Sequence, residues 1–129
     1  MDKPLEPAMT ETDIHLKKFQ KELSAGMVSL VLLGVLDQAS EPMYGYQIAK
    51  RFEGAGEAVL TGKQSALYPV LRNLSASGLL DSFVEPSVSG PPRRYYRITE
   101  NGRAVLGEWT NTWDATRSFV DSILKGEQS

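Results

Sequence analysis

The chain has no cysteine and a single histidine, His15. The first absence removes disulfides, thiolate nucleophiles and thiolate metal sites, and the second leaves no pair of imidazoles for acid–base work. Its glycines are scattered and form no loop of the kind that cradles a nucleotide phosphate. No catalytic constellation survives these gaps, so neither an enzyme nor a metal or other cofactor is expected. Long apolar runs are also missing: the longest, Val28 to Leu36, is broken by Ser29 and Gly34 and is too short to span a bilayer. No basic N-terminal stretch leads directly into an apolar core and a cleavage site, so the expectation is a cytoplasmic protein with no membrane partner.

A surplus of positive charge is absent as well. With 14 basic and 16 acidic side chains the formal net charge is −2, which excludes a coat protein that binds nucleic acid by bulk charge. The charge is uneven, however: residues 1–60 carry 6 basic and 9 acidic groups, whereas residues 61–100 carry 5 and 3. Taken alone, that local excess is what many solvated surfaces show. The length of 129 residues suits one compact domain with an accessory helix or two.

What is present is ordered like punctuation. Pro4 and Pro7 mark residues 1–9 as an extended leader. From Thr12 to Leu23 the apolar Leu16, Phe19 and Leu23 recur every three or four residues, predicting an amphipathic helix that packs either on its own domain or across a dimer. Met27 to Leu36 predicts a separate, buried helix, ended by Glu41-Pro42-Met43. Tyr44 to Phe52 predicts a short helix with Ile48 and Phe52 inward and Lys50 and Arg51 outward, followed by a connector containing Gly54, Gly56 and Gly62.

A third helix is expected to run to about Ser77, with Ala66, Val70, Leu71 and Leu74 inward. Pro69 is awkward inside a helix, so the start should lie near Ser65 to Tyr68, or a distortion should mark the place. Gly78 releases this helix into a strand over Leu79 to Val84, paired with Arg94 to Ile98. Between them, Glu85 to Pro92 is a proline-stiffened loop. Thr99 is an N-cap, and Leu106, Trp109, Trp113, Thr116, Val120 and Ile123 form a stripe too long for the small head to cover, which predicts a dimerisation helix.

Three helices, a hairpin and a closing helix describe a winged helix-turn-helix. The fold expected is mainly α with a small β-hairpin wing, divided into an accessory segment (1–24), a DNA-binding domain (25–98) and a C-terminal dimerisation helix (99–129). In that fold the third helix enters the major groove and the wing reaches neighbouring backbone or minor groove. Gln64 is then suited to adenine, Lys63 to guanine or phosphate, and Ser65 to either a base edge or a phosphate. Arg72 adds a polar group on the flank of the same helix. Tyr68 either contacts backbone through its hydroxyl or packs its ring on the second helix. Arg93 and Arg94 point to alternate sides, so at least one is expected to face phosphate, while Arg97 is free to pair with a carboxylate. Tyr95 and Tyr96 likewise point apart, and at least one belongs to the wing's core. Trp109 and Trp113, one turn apart, either pack a dimer or form a slot for a planar ligand.

The buried helix from Met27, Tyr44-Gly45-Tyr46-Gln47-Ile48, Leu67-Tyr68-Pro69 with Leu71 and Leu74, Gly78-Leu79-Leu80, Gly90-Pro91-Pro92-Arg93-Arg94-Tyr95-Tyr96 and Ile98-Thr99-Glu100-Asn101-Gly102 together resemble the PadR family of bacterial and archaeal transcriptional regulators. The resemblance spans about Met27 to Leu124. It implies a homodimeric repressor of double-stranded DNA at an inverted repeat, joined through the C-terminal helix and often a helix from the N-terminal side. It also implies, in the smaller multidrug-responsive type, a planar and often cationic compound held by a tryptophan at the position of Trp113. The negative net charge keeps a second reading open, a winged protein-interaction module that does not bind DNA.

Overall fold

The computed structural model describes residues 9–53 and 64–126, with the backbone alone at 64 and 65. Four helices and three strands follow in the order α1 (Glu11–Gln38), β1 (Met43–Tyr44), α2 (Gly45–Glu53), α3 (Gln64–Ala76), β2 (Leu80–Glu85), β3 (Arg93–Ile98) and α4 (Glu100–Lys125).

The start of α1 is closed by a reciprocal cap. The Asp13 N–H donates to Thr10 Oγ1 and the Thr10 N–H donates to Asp13 Oδ2, both at 3.1 Å. That backbone hydrogen bond from Thr10, with help from its hydroxyl, holds the Asp13 carboxyl below its ordinary pKa. Instead of two helices separated near residue 25, one helix of 28 residues runs through. Ser24-Ala25-Gly26 contains no proline, and an interior glycine weakens a helix by only about 1 kcal/mol relative to alanine. The expected division between residues 24 and 25 therefore falls inside a continuous element. By length and composition alone α1 would pass as a membrane-crossing helix, but its C-terminal half supplies Val28, Leu32, Leu33 and Leu36 to the core.

The other core contributions are Ile48 and Phe52 from α2, Leu67, Leu71 and Leu74 from α3, and Leu80, Tyr96 and Ile98 from the sheet. Each set recurs at the period of its element, three or four residues in the helices and two in the strands. Val105, Leu106 and Trp109 lay the first turns of α4 against this core.

The sheet has three antiparallel strands in the order β1-β3-β2. The hairpin begins and ends within a residue of expectation, but β1 is an addition: Met43 pairs with Tyr96 and Tyr44 with Tyr95. Two residues are too short for any periodicity to betray. With β1 in place, β3 is the central strand: Tyr95 and Tyr96 have a neighbour on each side, while its arginines pair with β2 alone.

Thr99 caps α4 as expected, accepting from the Gly102 N–H at 2.9 Å, and Gly126 closes the other end with φ +68. Among the described residues of α4 only Gly102 is buried. Phe119, Val120, Ile123 and Leu124 on α4, and Ile14, Leu16, Phe19 and Leu23 on α1, are exposed apolar side chains.

Candidate nucleic-acid interface

Pro69 lies inside α3, which starts at Gln64, one turn before it. Lacking an N–H, it cannot donate to the Ser65 carbonyl, so the helix keeps only the irregularity that its first turns tolerate. Lys63 lies outside the described residues, and for Gln64 and Ser65 the structure places the backbone at the head of α3. Two of the three expected base-reading residues, Gln64 and Ser65, thus begin this helix.

Of the two roles weighed for Tyr68, the structure shows the packing of its ring on α2. Its ring crosses the first residue of α2 so closely that a Cβ on Gly45 would lie 2.8 Å from both Cε1 and the hydroxyl oxygen. Tyr68 is nonetheless 38% exposed, so its ring packs on α2 without being buried there. Gly45 is the residue that permits this approach.

Tyr96 is the hub between α3 and the wing. Burial pushes its phenol above the ordinary value; Arg94 and Arg72 pull it down and Tyr68 pushes it up. Charges on α3 (Arg72) and on β3 (Arg94) thus both bear on this one phenol. Tyr68 of α3 and Arg94 of the wing line one cleft, whereas Arg72 is not among its lining residues.

The register separates the two wing arginines. Arg94 shares a sheet face with Tyr96, and its Nη1 donates to Ser82 Oγ at 3.0 Å. Arg93 lies on the opposite face with Tyr95 and Phe83, and its guanidinium carbon is 4.5 Å from the centroid of the Tyr44 ring. On that face Tyr44 meets Tyr95 edge-on at 5.5 Å, and Tyr95 stacks on Phe83 at 5.7 Å. Arg97 pairs with Asp81 at 3.6 Å, the carboxylate partnership expected of it. Tyr96 is the tyrosine that joins the core.

Arg93, Arg94, Pro92, Tyr44, Tyr46 and Tyr68 converge with Gly45 on a cleft of about 180 Å³ at the base of the wing. Sequence reasoning missed Tyr44 and Tyr46 as members of this surface, because only the pairing of β1 with β3 and the start of α2 directly after it bring them there. The loop itself is braced: the Ser87 hydroxyl lies 3.0 Å from the Gly90 carbonyl and 2.9 Å from that of Pro91, while Gly90 takes φ +115. Val88 stands fully exposed at its tip.

A chain with this architecture can be compared with known proteins. Residues 32–108 match the PadR-like family of transcriptional regulators. The chain belongs to that family. A PadR family regulator from Eggerthella lenta DSM 2243 is similar at 33% identity with a TM-score of 0.73, over 88% of this chain and 95% of that one. A PadR-like regulator from Bacillus cereus is 26% identical with a TM-score of 0.68, over 82% and 99% of the two chains. An uncharacterised protein of Lysinibacillus sphaericus is 26% identical over 98 residues, 76% of this chain and 87% of its own length. As a PadR-like regulator the protein is a DNA-binding transcription factor and not an enzyme.

A second feature of this PadR-like chain lies away from the wing. Trp109 and Trp113 of α4 face Leu23, Met27 and Leu30 of α1 across an apolar groove of about 400 Å³, with Glu22 at its edge. Trp109 also packs against the core, whereas Trp113 belongs to the groove alone. Among the described residues no group of three or more His, Asp or Glu side chains could hold a metal ion.

Proposed function

We propose that this PadR-like regulator is a cytoplasmic homodimeric repressor that binds an inverted repeat and releases it when a planar aromatic or hydrophobic compound binds between α1 and α4. The observation that carries the DNA-binding half is the cleft at which Tyr68 of α3 meets Arg93 and Arg94 of β3. It couples the flank of α3 to the base of the wing as one surface, so that helix and wing meet DNA in a fixed relation. In this reading Lys63, Gln64 and Ser65 reach base edges, and Tyr68, Arg72, Arg93 and Arg94 hold phosphate.

The exposed apolar side chains on α1 and α4 support dimerisation, since such a surface on a small domain is poorly tolerated in water. The groove lined by Trp109 and Trp113 supports the effector half of the reading.

Selection of bound fragments from the source genome, followed by anisotropy at two salt concentrations and the mass of the complex, tests the proposal. A symmetric site bound by a dimer, with half-sites about 34–36 Å apart or a multiple of that and affinity falling steeply with salt, is the expected result. A single unsymmetric half-site at stoichiometric dimer contradicts it. Quenching of tryptophan emission by planar compounds, compared in Trp109→Ala and Trp113→Ala, tests the effector: equal quenching in all three proteins removes the slot.

A further inference from the structure

Arg93 and Arg97 share one face of β3, and each stands directly opposite a carboxylate on β2, Glu85 and Asp81 respectively. Arg97 takes its carboxylate. Arg93 does not: among the described residues no ion pair joins it to Glu85, and its guanidinium lies instead over the ring of Tyr44. A guanidinium over a ring with no carboxylate beside it keeps its charge open to an outside anion, whereas that of Arg97 is already partly met by Asp81. Tyr44 itself meets Tyr95 in an edge-to-face contact, with ring centroids 5.5 Å apart.

We infer that Tyr44 is a positioning residue: its ring sets Arg93 at the mouth of the wing-base cleft, ready to take one backbone phosphate of the operator duplex. The inference rests on the DNA-binding reading above and adds to it the reason why Arg93, and not Arg97, serves. An unheld arginine samples many rotamers and loses that freedom when it binds an anion. Arg93 has lost part of it beforehand, which strengthens its hold on phosphate without adding a contact. Arg94 reaches the same cleft held by a neutral hydroxyl, Ser82, which also leaves its charge available.

A phosphate contact is independent of sequence, so a mixed-sequence duplex of three helical turns, about 30 base pairs, is a sufficient probe at low salt. Binding of the full chain to it is measured for the wild type, Tyr44→Phe, Tyr44→Leu, Arg93→Ala, Arg93→Lys and the Tyr44→Leu/Arg93→Ala double variant. Tyr44→Phe should bind as the wild type, because the ring and not the hydroxyl does the holding. Tyr44→Leu should weaken binding about three- to tenfold, Arg93→Ala should lower the salt slope by about 0.9, and the double variant should be no weaker than Arg93→Ala.

Arg93→Lys sits at an exposed position and does not threaten the fold, so it decides the matter even where Tyr44→Leu is unstable. It should bind more weakly than the wild type despite its equal charge. Wild-type binding by Arg93→Lys, or additive losses in the double variant, overturns the positioning role. Wild-type affinity and slope in Arg93→Ala overturns it too while leaving DNA binding intact. A folded wild-type dimer that binds no duplex at all overturns both readings.

Discussion

The Thr99 hydroxyl donates to the Gly78 carbonyl at 2.8 Å, so the cap of α4 is fastened to the turn that ends the recognition helix. The Thr99 N–H adds a bond to the Leu79 carbonyl at 3.1 Å, and the same hydroxyl accepts from the Gly102 N–H. The start of the helix that carries the tryptophans is thereby fastened to Gly78 and Leu79, just beyond the end of α3. Thr99→Val keeps the shape and removes the hydroxyl; it should lower stability by about 1–3 kcal/mol, read from the denaturant midpoint. Thr99→Ser should retain most of it.

Gly102 and Gly107 lie on the same helix and should respond oppositely to alanine. A Cβ on Gly102 would collide with the Leu79 carbonyl oxygen and approach Ile98 Cγ1 to 2.7 Å, and the carbonyl belongs to the backbone and cannot swing away. Gly102→Ala should cost about 1–3 kcal/mol. A Cβ on Gly107 meets nothing within 4 Å, so Gly107→Ala should stabilise by about 0.5–1 kcal/mol. Thermal unfolding at one protein concentration compares them.

Gly45→Ala tests Tyr68. The new methyl occupies the place of the ring edge and turns Tyr68 outward, a movement its exposure makes easy. The fold should persist, and DNA affinity should fall by about 1 kcal/mol, the worth of one hydrogen bond. Anisotropy measures the affinity and circular dichroism the fold; unchanged affinity would remove Tyr68 from the interface.

The two tryptophans should separate by stability. Trp109→Ala opens a space against the core and should cost about 3 kcal/mol. Trp113→Ala should cost distinctly less, because its indole packs on the groove alone. Urea titrations of both variants give the comparison.

Acid should loosen the start of α1 before the rest. The Asp13 carboxyl is held below its ordinary value by the Thr10 backbone N–H. A carboxyl lowered in the folded state stabilises above its unfolded pKa, about 3.9, and that contribution fades as pH falls through the lower folded value. Far-ultraviolet ellipticity should therefore show loss of helix below about pH 4, and Asp13→Asn should weaken that acid response.

Much of the fold was legible because its signals are local. Gly78 takes φ +79, as a helix-ending glycine does. The prolines from Pro86 to Pro92 fall between two strands, and Thr99 caps the helix that follows. Each of these acts within one turn of chain. Other features were illegible because no local signal carries them. Nothing in Ser24-Ala25-Gly26 announces whether the helices on either side are one, since a weak glycine is decided by what the two halves pack against. A two-residue strand has no period to detect, so β1, and with it the place of Tyr44, was hidden.

By itself the sequence determined the elements from α2 onward, the cap of α4 and the stiff wing, all set by the conformational preferences of neighbouring residues, and most of each apolar face, although on α3 it is Leu67 and not the expected Ala66 that turns inward. Only the tertiary structure decided which arginine is left without a carboxylate partner. Arg93 and Arg97 are alike in spacing, strand and cross-strand carboxylate. Their fates diverge because β1 brings the ring of Tyr44 beside Arg93, while Arg97, over Phe83, remains with Asp81. That choice depends on a residue about fifty positions away in the chain, and such a contact exists only after the sheet has closed and fixed its register.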